Sequence, residues 1–586
     1  MSSTRYARIA DSNGSTIVVD LFDADSSYPL HDNTAYLPDS VVTYSLHHDG
    51  CRIESLVAAA GSALAVIWLA LSEHGIDPAF PESVNTEVQS IIENPGIDES
   101  SLADLTGLPF VTIDNVDSRD LDQAMHIACQ DNGYVLNYAL ADAAHFVRPG
   151  SALFNEALRR GASYYVPGFA VPMLPRALSE DLVSLNAGVP RRALVFTISL
   201  DNTGSVLRTD VQQARIQSAA KLSYSGVEAY YRSPQTSDLA GQSFTRTLDN
   251  LRDLGLLRIE QARNRNVVEY DRSSVEVYLS DNGRDFNMVN ADRLDVEQYN
   301  EQISLVCNSE GARLLEAAGL PSVVQAIYRV HDAPDTERLI KFSRLLKGLI
   351  THYRLPENIW VWRWRDGKYG EKENLSDYLS RLRAHDVDSG LLSAVQRHAL
   401  MLSPASRFSS EAGGHHSLKL DQYARFSSPM REIAGVFTHR EYLQYLAFNS
   451  DITQNFDDMA LREQVLAAAN RSKEVQKKLN KAVMKKAIDQ LFESQIAIEP
   501  KQRNIWQGTV IALRKTRVYV RLDEPSITVK IYLRELARAN GADYNLDRST
   551  AIITNGESTA FALGQRLKLR VRDYSQGKLR WGLEPV

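Results

Sequence analysis

The sequence predicts a multidomain α+β protein in which small β-rich modules at the two ends flank a large mixed unit. Three observations predict it. The chain has 586 residues, more than one hydrophobic core organises, and its 44% apolar and 24% charged residues are ordinary for a soluble globular protein. Short strand-like pieces separated by Asp, Ser, Asn and Gly turns occupy both ends. Residues 100 to 450 instead mix alternating and helical runs.

Taken in order, residues 1–75 carry STIVVDLF and SVVTYSLH, the pieces of a small β-barrel or sheet. SLVAAAGSALAVIWLAL, residues 55 to 71, is uncharged for 17 positions, near the lower limit for a membrane span. It is rich in alanine, holds Gly61 and Ser62 and has no flanking Lys/Arg cluster, so a strand followed by a buried helix is expected, and no membrane association. A helical connector follows over 76–100, with a turn at HGIDPAFPES and a helix beginning at Ser83. The central unit spans 101–455: YVLNYALADAAHFV and ALVFTISLDNTGSV read as strands, DVEQYNEQISLVCNSEGARLLEAAG and DTERLIKFSRLLKGLI as helices. Residues 456–500 form a basic helical segment in which Lys473, Lys477, Lys481 and Lys485 recur every four residues and share a face. Residues 501–586 alternate apolar and basic positions, as in a five-stranded OB-type barrel.

Net charge is −8, yet residues 505 to 586 hold 14 Lys/Arg against 8 Asp/Glu. The positive charge sits where a polyanion could use it, and Trp506, Tyr519, Tyr532 and Trp581 with Arg517, Arg521 and Arg534 could stack and neutralise single-stranded nucleic acid. Some of these rings must be core. Cys51, Cys129 and Cys307 stand far apart with no CxxC or Cys/His spacing, which suggests neither a disulfide framework nor a zinc site, and the first residues lack a secretory pattern. A reducing, cytoplasmic setting is expected.

The informative stretch is VTIDNVDSRDLDQAMH, residues 111 to 126, with Asp114, Asp117, Asp120 and Asp122 inside nine positions. Such crowding raises carboxyl pKa values unless a cation or a set of donors compensates. VTI reads as a strand ending at Asp114, and SRDLDQA as a loop. The spacing does not fit an EF-hand, and it leaves a solvated acidic loop and a hard-cation site both open.

The stretch resembles the signature of the ribonuclease II/ribonuclease R (RNB) family: T-I-D, a short gap, then D-[apolar]-D-D-A. ALADAAHFVRPGS, YYVPGFAVPMLPRALSEDLVSLNAG, IYRVHDAP and HHSLKLDQYARFSSPMREIAGVFTHR resemble further family motifs in order and spacing. The last follows the family's H-F-G-L through S-P-I-R-[RK] to H-R. The resemblance implies a central RNB domain flanked by a cold-shock-like OB module and an S1-type barrel. It implies processive 3′-to-5′ hydrolysis of single-stranded RNA to nucleoside 5′-monophosphates with one or two Mg2+ ions, by a monomer with no protein partner.

By motif position, Asp114 and Asp120 would be metal ligands, Asp122 the acid most tied to chemistry, and Asp117 an outsider. Gln123 stands where the family has its fourth aspartate; its carbonyl is an uncharged candidate ligand. Arg431 would contact phosphate, with a planar fork suited to a phosphodiester. Tyr165 and Tyr270 would stack the 3′-terminal bases, and Tyr224 and Glu301 would lie near terminal 2′-hydroxyls. His415, His439 and Asp142 would be supporting residues. The single N-terminal module and the absence of a lysine-rich tail resemble ribonuclease II more than ribonuclease R.

Overall fold

The structure, a computed structural model, describes residues 5–12, 15–23, 25–30, 36–47, 50–130, 132–270, 274–317, 324–364, 372–446, 456–547 and 551–586. At the N-terminus, Arg5–Ser12, Ser15–Asp20, Ser27–Pro29, Val41–His47 and Gly50–Ala58 pair in the order third, second, first, fourth, fifth. A parallel bridge from Leu30 to Cys51 returns the fifth strand beside the third, so the sheet curls into an OB-type barrel. Ala7, Ile9, Val18, Val42 and Tyr44 fill it.

The apolar stretch 55 to 71 divides into the end of the strand Gly50–Ala58 and the helix Ala63–Glu73. Ser62 caps that helix, its Oγ accepting from the Ala65 N–H at 3.1 Å. Ala63, Ile67, Trp68 and Leu71 are buried. Among the described residues no helix is long and apolar enough to cross a membrane. The helix Glu82–Glu93 leads into the central unit.

There, Phe110–Asp114, Gln123–Gln130, Gly133–Ala141, Pro190–Asp201 and the 18-residue strand Val206–Ser223 close a second barrel. The long strand closes it by pairing antiparallel with Pro190–Asp201 and parallel with Phe110–Asp114. Two expected strands are interrupted. YVLNYALADAAHFV leaves the ladder after Ala141, where buried Asp142 turns to accept from Gln213 Nε2 at 2.8 Å, and the short helix Ala143–Phe146 follows. ALVFTISLDNTGSV contains a hairpin turn in which Asp201 Oδ1 accepts from the N–H groups of Thr203 and Ser205. Apolar clusters lie on both sides of the sheet. The helices Thr336–Tyr353, Leu375–Ala384 and Ser389–Leu400 build a third cluster around Trp360 and Trp362. The expected boundary near 455 and the end of EGARLLEAAG fall in 447–455 and 318–323, outside the described residues.

The 41-residue helix Phe456–Ile496, about 60 Å long at 1.5 Å per residue, joins the parts. It touches the helices Ala63–Glu73, Ala152–Arg160 and Ile433–Leu446, and the C-terminal strand Arg566–Ser575. Gly161, at φ +77°, meets it so closely that a Cβ would lie 2.6 Å from the Ala468 carbonyl oxygen. The lysine face divides: Lys477, Lys481 and Lys485 are exposed, whereas half-buried Lys473 donates to the Ser406 carbonyl at 2.6 Å.

The C-terminal barrel pairs Ile505–Arg514, Arg517–Leu522, Thr528–Tyr532, Arg566–Ser575 and Arg580–Pro585. Two of its four candidate rings dock it on the long helix. Trp506 and Trp581 pack on Phe492, centroids 5.1 and 5.7 Å apart, and Trp581 Nε1 donates to Asp489 at 2.8 Å. Tyr532, with the Arg580 guanidinium 4.4 Å from its ring centre, faces a groove shared with Lys481, Lys485 and Lys530.

Candidate active site

The site forms where strands of the central barrel end together. Phe110–Asp114 and Val206–Ser223 run parallel with Asp114 opposite Ser223, so Asp114 and Tyr224 leave the sheet at one edge. Ser223 caps the helix that Tyr224 begins, its Oγ accepting from the Gly226 N–H at 3.0 Å. The antiparallel neighbour pairs Met125 with Val111, which returns the loop bearing Asp120 and Asp122 to the same edge.

The helix Asp295–Ala317 crosses this edge and presents Glu297, Asn300, Glu301, Ser304 and Asn308. Their spacing of three and four residues puts them on one face. A Cβ at Gly311 would lie 2.4 Å from the Phe426 ring, so only glycine lets the loop carrying Arg431 approach that helix. Together these elements enclose a cavity of about 270 Å³.

Asp122 is 2% exposed and bonded at both oxygens: Oδ1 accepts from the Met430 N–H at 2.8 Å, and Oδ2 accepts from Arg431 Nε. Burial pushes its carboxyl up to about 6, against the pull of Arg431 and the Met430 N–H. Tyr224 accepts from Asn300 Nδ2 at 2.9 Å, and burial pushes its phenol up to about 12. Glu301 accepts from Arg293 at 2.6 Å. Gln123 borders the cavity with its carbonyl taken by the Tyr138 and Ser304 hydroxyls and its amide donating to the Ser427 carbonyl at 2.6 Å.

Asp114, Asp122, Gln123, Tyr224, Glu301 and Arg431 thus line one cavity. Asp120 stands beside it, accepting from the Tyr165 hydroxyl at 3.1 Å; Tyr165 is 44% exposed, as a stacking ring requires. Tyr270 does not join them: it packs against the Trp360 cluster and is absent from the cavity lining. Asp117 is exposed. His439, buried and held neutral by burial with a pKa of about 4, donates from Nε2 to the Phe426 carbonyl and braces the loop. His415 packs on Tyr423, and Asp142 lies buried beside Arg192.

Sequence reasoning missed Thr112, Asn300 and Asn308. The last pins the loop, its Oδ1 accepting from the N–H groups of Phe426 and Ser427; only helical periodicity from Glu301 could have pointed to Asn308. Thr112 Oγ1 and Asn300 Oδ1 are buried at this cavity without a hydrogen-bond partner. Among the described residues no three His, Cys, Asp or Glu side chains converge to hold a metal ion. The oxygen-only donors and the two orphaned oxygens nonetheless fit a hard divalent cation, which binds through one or two carboxylates, waters and substrate phosphate.

A barrel whose strand ends gather carboxylates against an arginine loop is an arrangement that suits phosphate chemistry. Residues 102–447, more than half of the chain, match the RNB domain family, and the chain belongs to that family. It is similar to ribonuclease R of Escherichia coli, 25% identical over 531 residues that cover 89% of this chain and 62% of that protein. Exoribonuclease 2 of Klebsiella pneumoniae is 28% identical over 377 residues, 64% of this chain and 54% of the relative. The chain therefore spans less than two thirds of the length of these relatives. The fold matches that of Mycoplasma genitalium RNase R in complex with ribose methylated single-stranded RNA, with a TM-score of 0.78 at 19% identity, over 100% of this chain and 89% of that one.

Proposed function

We propose that this protein is an Mg2+-dependent exoribonuclease that removes nucleoside 5′-monophosphates from the 3′ end of single-stranded RNA. One observation carries the reading: in a chain of the RNB family, buried Asp122 meets half-buried Arg431 in a cavity that Asp114 also borders. Asp114, Asp120 and Asp122 would hold the metal, which supplies a nucleophilic water at neutral pH and neutralises charge on the phosphate. Arg431 keeps guanidinium N–H groups beyond its Asp122 bond to donate to a phosphodiester as its charge grows. Tyr165 stacks the terminal base, and Tyr224 and Glu301 face the sugar, where hydrogen bonds to 2′-hydroxyls exclude DNA.

The second reading, an RNA-binding scaffold with little activity, is favoured by Gln123, which removes one charge from the expected metal motif. Purified protein with 5′-labelled single-stranded RNA, in Mg2+ or in EDTA, separates the two. Shortening ladders and monophosphate release that stop with EDTA are expected. Binding without turnover sinks the enzyme reading, and equal cleavage of an all-deoxy oligomer sinks its RNA specificity.

A further inference from the structure

We infer that Gln123 is a positioning residue, an amide latch that fixes the Arg431 loop against Asp122. The inference rests on the exoribonuclease reading above and deepens it. The Ser427 carbonyl can only accept, so the nitrogen of the Gln123 amide must face it, at 2.6 Å, and the oxygen must face the other way. That oxygen meets two hydroxyls, Tyr138 OH and Ser304 Oγ, the latter at 3.1 Å. The two hydroxyls also lie 2.7 Å from each other, so at least one proton of the pair is available to the amide oxygen, which this pair holds in place.

The loop is gripped at both ends by consecutive residues. Gln123 holds the Ser427 carbonyl, while Asp122 holds the Met430 N–H and Arg431 Nε. Asn308 secures Ser427 from the opposite side, accepting from its N–H at 3.0 Å and donating to its Oγ at 2.9 Å. Ser427 is therefore fixed at its N–H, its hydroxyl and its carbonyl, and Arg431 lies four residues on. An aspartate at 123 has no N–H for the Ser427 carbonyl, would set a carboxylate facing it, and would add a like charge beside Asp122. The amide that removes a charge from the motif makes a bond that no carboxylate can make.

Gln123→Glu, Gln123→Met and Gln123→Asp test this. In metal-free protein, amide hydrogen exchange across Ser427–Arg431 should quicken about tenfold in all three, the worth of one lost buried hydrogen bond. In Mg2+, kcat should fall about tenfold or more with KM for RNA within threefold, and the Mg2+ concentration for half-maximal rate should not drop in Gln123→Asp. On an Arg431→Ala background the same substitutions should cost less than threefold, because they act through that side chain. Unchanged exchange in Gln123→Met, or a fivefold lower Mg2+ requirement in Gln123→Asp, overturns the latch. If the unaltered protein does not hydrolyse RNA, the enzyme reading fails while the exchange data still decide the latch.

Discussion

In the acidic cavity Asp122 is buried with both oxygens engaged, whereas the groove beside the C-terminal barrel is lined by Lys481, Lys485, Lys530 and Arg580, with Asp489 paired to Lys485 at 2.8 Å and Glu535 lying 3.9 Å from Arg580. Burial and then its cationic neighbours Arg517, Lys481 and Arg580 pull the Lys530 ammonium below its usual range. In the cavity Asp122 and Arg431 are spent on one another, so this pair is oriented before any substrate arrives. The groove leaves an excess of positive charge unneutralised, ready for a polyanion and screened by salt. Losses in the cavity should therefore be close to all-or-none in rate, and losses in the groove graded and confined to affinity.

The largest expected break is Asp122→Asn, which should cut hydrolysis by at least about 10²–10³-fold while RNA affinity in EDTA stays within threefold. More than a few per cent residual rate, measured by monophosphate release, would separate Asp122 from the chemistry. Arg431→Lys comes next: it keeps the charge but loses the planar fork, and kcat should drop by about 10–100-fold. A lysine variant with full kcat would make Arg431 a simple counter-charge. The mildest is the triple change Lys481→Gln, Lys485→Gln and Lys530→Gln. Its log affinity against log salt should flatten by about 0.7 for each phosphate deprived of its ammonium, with kcat at saturating RNA unchanged. A salt slope equal to that of the unaltered protein would remove RNA from this groove.

The two regions also differed in how far the sequence revealed them. Asp114, Asp122, Tyr224, Glu301 and Arg431 were legible because each sits in a motif of fixed local spacing, and the structure gathers them. Tyr138, Ser304 and Ser427 were not, since they reach Gln123 across 15, 181 and 304 positions and no local pattern marks such a meeting. NVVEY placed Tyr270 near the stacking site, but just beyond the helix Thr245–Asn264 the chain turns into the apolar cluster around Trp360. In the barrel, alternation revealed which face is apolar but not what covers it. Trp506 and Trp581 were candidates for bases, and the long helix took them through Phe492. At the N-terminus the strand signals were weak, yet the parallel bridge of Leu30 and Cys51 completes a barrel that no alternation within one strand can announce.

The long helix has one more consequence. Gln476 bonds both the N–H and the carbonyl of Tyr165, and Lys481 and Lys485 follow five and nine residues later, about 7–14 Å along the axis. The helix is thus a ruler: the gap between the Tyr165 ring and the cationic groove is set by backbone rise within one element. An RNA that spanned that gap would be held at both ends of it, and a remnant just too short would lose one of them in a single step. Four residues inserted between Gln476 and Lys481 would lengthen the gauge by about 6 Å, and the shortest RNA held at both points would lengthen with it.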